Sequence, residues 1–440
     1  MSTLTEQRAK YLESFDDLLK RSAGPGWLRS LREEAYAQFS QLGFPTLRTE
    51  DWRFTSVAAI AEKSFTPAAE GRGQLSARAL KPFRVGGLGA QLVFVNGRFA
   101  RELSVLGSLP HGVKAGSLAQ AIATQADVVE SHLGRYAEFR DDAFTALNTA
   151  FIQDGAFINV PRGTIVEHPI AVLFVSIGDA GPQMVHPRNL IIVGEDSQVS
   201  VIEDYVSINT GVFFGNIVTE LVAGDAAVVS HYMLEREDEQ AYNISTLRTH
   251  QGRSANLASH SVLLGGALVR NNVHPVLAGE GGDCLINGLF IGRNRQHMDN
   301  YMKVEHASPH CGSRQFYNGI LDDYARGVFH GRIIVHKDAQ KTDAKQTNRN
   351  LLLSDNAQID TKPQLEIYAD DVKCTHGATI GQISEEALFY MRSRGLEEKQ
   401  ARALLLFAFA SESLERMKPG PVREYLEKLV PQWLPNGGTR

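Results

Sequence analysis

The chain has 440 residues, more than one compact core usually organises, so two or three domains or one elongated repeat body are expected. A formal net charge of −5 supplies no basic field for nucleic acid, and no apolar run approaches the roughly 18 residues of a bilayer span. The opening MSTLTEQRAKYLESF lacks the apolar core of a secretion signal, and three widely spaced cysteines (Cys284, Cys311, Cys374) with no CxxC pair fit free thiols; the expectation is a cytoplasmic chain that cannot build a four-cysteine site alone.

The first elements read as helices. Glu6 and Lys10 sit at i and i+4, and Leu4, Tyr11, Phe15, Leu18 and Leu19 form an apolar stripe as far as the breaker Gly24-Pro25-Gly26. A second helix runs from about Trp27 to Leu42 and stops at Gly43 and Pro45. The following GFPTLRTEDWRFTSV interleaves polar residues with Trp52 and Phe54; it reads either as a docking segment or as a connector pinned to the helices by its aromatics. QLVFVNGRFA is a hairpin turning on Asn96-Gly97. Residues 1–145 are thus expected to form a mostly helical N-terminal domain.

From about Phe151 the pattern changes to short alternating strands between polar turns, and the turns recur. Gly194, Gly224, Gly252, Gly282 and Gly312 are spaced by 30, 28, 30 and 30 residues. That period signals a solenoid in which each repeat buries its apolar face by stacking on its neighbours. A sandwich would show turns about every ten residues and no longer period. The expected fold is mainly β, a parallel β-helix over residues 146–382.

Beyond Gly381 the period becomes helical. Ser384 is a good N-cap with Glu385 and Glu386 in the first turn, and Gly395 is a stop. A second helix, about Glu397 to Met417, is apolar nearly all round from Leu404 to Ala410, so it is either buried within the chain or faces a partner. Glu424 to Leu434 adds a third, completing a helical C-terminal domain over 383–440.

The stretch from Gly331 to Gly381 carries the chemistry on offer. It ends in Cys374 and His376, which share a face if the strand is regular, because side chains at i and i+2 point the same way. A thiolate beside an imidazole can ligate iron or zinc; a strand histidine can equally be a hydrogen-bonded residue and a strand cysteine a packed one. His306, His310 and Cys311 cluster more loosely, and Cys284 reads as a small buried filler. No P-loop, nucleophile elbow, HExxH helix or dinucleotide fingerprint is present.

HGRIIVHKDAQKTDAKQTNRNLLLSDNAQIDTKPQLEIYADDVKCTHGATIG, with VEHASPHCGSRQFYNGIL upstream and LFYMRSRGLEEKQARALLLFAFASE downstream, resembles the SufB/SufD family of iron-sulfur cluster assembly scaffolds. PTLRTEDWRFT resembles the N-terminal motif of the SufD branch, and the Pro-x-Cys-Ser-Thr motif of the SufB branch is missing. The resemblance implies a right-handed parallel β-helix flanked by helical domains. It also implies a non-catalytic subunit that pairs with SufB through the β-helix and docks the ABC-type ATPase SufC through its C-terminal helices. His376, with Cys374, would then serve as an interfacial ligand of iron or of a transient iron-sulfur cluster shared with SufB, with no permanently bound cofactor. In isolation a homodimer is expected, with neither nucleic acid nor membrane as a partner. Two rivals remain: a SufB-like homodimeric scaffold that holds the cluster itself, and a β-helix carbohydrate-active enzyme. The latter needs paired carboxylates, and the adjacent Asp370 and Asp371 face opposite sides of a strand.

Overall fold

The computed structural model describes residues 4–21, 24–69, 75–178, 181–208 and 211–435, without the side chains of residues 4–10 and 21, so the Glu6–Lys10 pair and Leu4 lie outside the described side chains. From Arg188 onward the chain alternates between two sheets, and every strand pairs in parallel with the strand two places later. Each sheet has eleven strands. Their inner faces enclose one continuous apolar core, from Leu92 and Ile158 at one end to Ala344 and Ala369 at the other. This is the parallel β-helix that the repeat implied, flattened to two strands per coil.

The coil length lies close to the glycine period, and its variation is absorbed in the turns. From Arg188 onward, paired residues in the second sheet are 27 to 31 positions apart (Asn256 opposite Asp283, Gly312 opposite Asp343), and in the first 26 to 32. At the turn, Gly224 N donates to Val193 O and Gly252 N to Ala223 O; the next rung uses Gly279, whose N donates to Gln251 O, rather than Gly282. A Cβ on Gly224 would lie 2.8 Å from the Glu195 backbone nitrogen, so this corner admits no side chain. One step on, Asp196, Ala226, Ser254, Gly281, His310 and Lys341 all take positive φ and stack in a ladder, each amide donating to the following coil. His310 is a corner residue of that ladder.

Helices cover both outer faces. Tyr11, Phe15 and Leu18 of helix Leu4–Arg21 pack with Ala35 and Phe39 of helix Gly26–Leu42 and with the fully buried helix Ala143–Ala150, on Phe214 and Ile244 of the first sheet. The predicted hairpin forms: Ala90–Val95 and Arg98–Phe99 pair antiparallel around Asn96 (φ 49°) and Gly97 (φ 73°). Ala90–Val95 also pairs in parallel with Ile170–Ile177, so the N-terminal segment supplies a rung to the second sheet. Asn96 closes that end, donating to Ile177 O and accepting from Ile177 N.

The C-terminal helices are Glu385–Ser393, Glu398–Leu414 and Pro421–Leu429. Ser384 caps the first, accepting from Ala387 N at 3.2 Å, and Gly395 (φ 91°) follows its end. The apolar helix packs on the outer face of the second sheet: Leu406, Ala410 and Leu414 meet Leu289, Ile291 and Ile320. Asn287 and Asn318 donate to the carbonyls of Ser413 and Phe409, tying the helix to two successive rungs. Its other side is less covered: Leu404 is exposed, as are Phe389 and Tyr390 on the preceding helix. Among the described residues no helix is long and apolar enough to cross a membrane.

Candidate functional site at the open end of the solenoid

Each sheet ends at the C-terminal side of the solenoid, the first on Gln358–Ile367 and the second on Lys373–Gly381. An end strand has one neighbour, so its far edge presents unpaired amide and carbonyl groups. Lys373–Gly381 is exposed along its length except at Cys374, which is half-buried. Among the described residues its only partner strand is Asp343–Leu352.

The register settles the face that the sequence left open. Cys374 lies opposite Ala344 and His376 opposite Gln346, both buried residues. Gln346 points into the solenoid, where its side chain donates to Gln315 Oε1 at 2.9 Å and lies against Gly331 of the opposite sheet. Cys374 and His376 therefore occupy the last rung of two inward-facing columns, at an end that no further coil covers. Cys374, with Val372, packs on the edge of the interior core; His376 is exposed to solvent. Burial pushes the Cys374 thiol above its ordinary value, partly offset by a hydrogen bond from the Ala344 backbone.

The other sulfur and imidazole groups lie elsewhere. Cys284 stands two rungs below Ala344 in the same column, fully buried, and burial pushes its thiol up. Cys311 is buried at a turn, where its Sγ donates to Gly279 O at 3.3 Å. His306 is in the core, bonded to Ser313 Oγ at 2.8 Å, and burial lowers it to about 4, so it is a neutral packed residue. Thus His306, His310 and Cys311, neighbours in sequence, form no joint site. Among the described residues no group of three or more His, Cys, Asp or Glu side chains could hold a metal ion.

The sequence motif PTLRTEDWRFT proves to be a docking segment for the solenoid itself. Arg270 sits 3.8 Å from the Trp52 ring centroid and 4.9 Å from that of Tyr301, and its Nη1 donates to Asp299 Oδ2 at 2.6 Å. Thr55 Oγ1 donates to the same carboxylate oxygen at 2.5 Å and lies 2.9 Å from His297 Nε2. Trp52 also packs on Phe144 at 5.0 Å, so the helices share in holding the segment. The motif shows its aromatics, but its partners Arg270, Asp299 and His297 lie more than 200 residues away and carry no local signal.

Two family models cover nearly the whole chain: SufBD protein N-terminal region over residues 3–172, and SUF system FeS cluster assembly, SufBD core domain, over residues 174–409. The chain belongs to the SufBD family. Among its relatives, an iron-sulfur cluster assembly SufBD family protein of Synechocystis is 35% identical over 408 residues, covering 91% of this chain and 89% of the relative. The iron-sulfur cluster assembly protein SufD of Escherichia coli K12 is 31% identical over 402 residues, 91% of this chain and 92% of its own. SufD of Bacillus subtilis is 25% identical over 432 residues, 96% of each chain. This SufBD chain functions in iron-sulfur cluster assembly, and its two family regions meet at residues 172–174, within the second-sheet strand Ile170–Ile177.

Proposed function

We propose that this chain is the SufD-type subunit of a SUF scaffold. Its open solenoid end pairs with the corresponding strands of SufB, and its C-terminal helices dock the ATPase SufC. His376, with Cys374, is lent to a shared site where iron is received and the nascent cluster forms. In this reading residues 1–145 brace the solenoid (146–382), residues 383–440 form the SufC contact, and the chain itself performs no catalysis, because ATP hydrolysis belongs to SufC.

The observation that carries the reading is the position of His376: a solvent-exposed imidazole beside a half-buried thiol, on an end strand whose edge is free. Two ligands do not complete the roughly four that tetrahedral iron or zinc takes, so a partner would supply the rest. Iron and cluster are cargo here, held briefly and passed on. Exposed Phe389, Tyr390 and Leu404 support a second, separate contact.

Co-expression with SufB and SufC tests the two contacts separately. Ile380→Lys, which puts a charge on the exposed end strand, is expected to lose SufB while retaining SufC; Phe389→Ser is expected to do the reverse. Recovery of the full complex with both variants would overturn the assignment of contacts.

A further inference from the structure

The inward-facing column that ends at His376 is polar in its last rungs. Gln315 and Gln346 stand in register beneath His376, and both are buried, 2% and 1% exposed. Below them the column continues as Ile286, so the polar run starts at Gln315 and leads only toward the open end.

Amides stacked in register along a parallel sheet bond up the column, each nitrogen to a neighbouring oxygen. Gln346 Nε2 donates to Gln315 Oε1 at 2.9 Å, away from the open end, which turns its own Oε1 the other way. That oxygen is buried and has no hydrogen-bond partner among the described residues. Buried acceptors are ordinarily bonded. The rung that lies over Gln346 is the last, and its residue in this column is His376. A donor there needs no path through solvent, because the next rung is only about 4.8 Å along the column. The opposite sheet admits the amide and offers it no rival. A Cβ on Gly331 would collide with Gln346 Nε2 and Cδ, and Gly331 pairs with Pro363 of the end rung, whose ring holds neither donor nor acceptor.

We propose that Gln346 positions His376 for its ligand role: Gln346 Oε1 accepts from one ring N–H of His376, which fixes the tautomer and leaves the other nitrogen, with its lone pair, turned out toward the partner. A neutral imidazole has one N–H and one lone-pair nitrogen, and a metal takes the second. Metal-bound histidines commonly give their remaining N–H to a carbonyl or carboxylate, and loss of that acceptor weakens metal binding about 10- to 100-fold. Gln346 is thus a positioning residue and not itself a ligand, and this role rests on the reading of His376 as a ligand of iron.

The test is 15N NMR of the ring nitrogens in the full-length chain, labelled at histidine and held in mildly alkaline buffer, with the His376 signals identified by their loss in His376→Ala. Gln346→Leu removes the acceptor, and Gly331→Ala displaces the amide. Gln346→Glu restores an acceptor, and the Gln315 amide, whose Nε2 is itself without a partner, can turn to donate to it. The ratio of the two tautomers is expected to shift about fivefold from wild type to Gln346→Leu, the weight of one net hydrogen bond. It should move the same way in Gly331→Ala and return to the wild-type value in Gln346→Glu. If Gln346→Leu does not fold, Gly331→Ala against wild type decides. A ratio that the folded variants leave unchanged overturns the proposal. Iron in the complex co-expressed with SufB and SufC keeps the two readings apart, with about tenfold less expected in Gln346→Leu than in wild type. Iron lost in His376→Ala but kept in Gln346→Leu overturns the positioning role alone; iron kept in His376→Ala overturns the ligand reading, and the positioning role with it.

Discussion

Cys374 and His376 differ in what their removal does, because one side chain is half in the core and the other is in water. His376→Ala is expected to change the unfolding free energy by less than about 0.5 kcal/mol, and Cys374→Ala to cost about 1 kcal/mol, measured by urea unfolding. The spacing of the pair revealed that they share a face. Which face it is depends on Ala344 and Gln346, a full coil away, and no local pattern reports that. A second residue-scale effect comes from a pair of buried carboxyls. Burial raises Glu237 to about 7, against hydrogen bonds from Asn243 and Ser176, and raises Glu235 as well, with Glu237 adding to it. A carboxyl whose folded value lies above its ordinary 4.5 stabilises the fold while protonated; that contribution is complete below about 4.5 and is lost as pH rises through about 7, at about 1.4 kcal/mol per unit. Glu237→Gln should therefore gain stability relative to wild type as pH rises from about 5 to 7. Urea unfolding across that range checks it, and parallel curves for the two proteins would contradict it.

At the scale of elements, the C-terminal helix pair separates packing from display. Leu406 is buried on the second sheet, so Leu406→Ala is expected to cost about 2–5 kcal/mol, while Phe389→Ser on the exposed side should leave the melting temperature within about 1 °C of wild type. Comparable losses from both would mean that the exposed ring is held by the chain after all. The helix itself was legible in the sequence: Ser384 capped where its hydroxyl predicted, Gly395 followed the first helix, and Asn96-Gly97 turned the hairpin. All three act within a few residues. The partner of the apolar helix was not legible, because Leu289, Ile291 and Ile320 belong to rungs far earlier in the chain and an apolar helix packs equally well on a helix or a sheet. The glycine period succeeded for the same local reason as far as Gly252; at Gly282 and Gly312 it slipped, because a coil three residues shorter at the turn moved the corner to Gly279 and then to Ala307–Pro309, and Gly312 opens a strand.

Across the whole molecule, the solenoid is closed at one end and open at the other. Asn96 and the hairpin seal the N-terminal end; at the C-terminal end the first sheet stops on a half-buried strand and the second on an exposed one, with Ile367, Tyr368 and Ile380 in solvent. An isolated chain with such an edge has a ready template for another strand. The asymmetry follows from where the helical segments fold back, which the repeat pattern alone does not specify. The most direct measurement is iron and acid-labile sulfide in the complex recovered from co-expression with SufB and SufC, wild type beside His376→Ala. The account predicts an intact complex that has lost most of its iron in the variant. An intact complex with unchanged iron would contradict it and leave the chain as a structural brace for its partner.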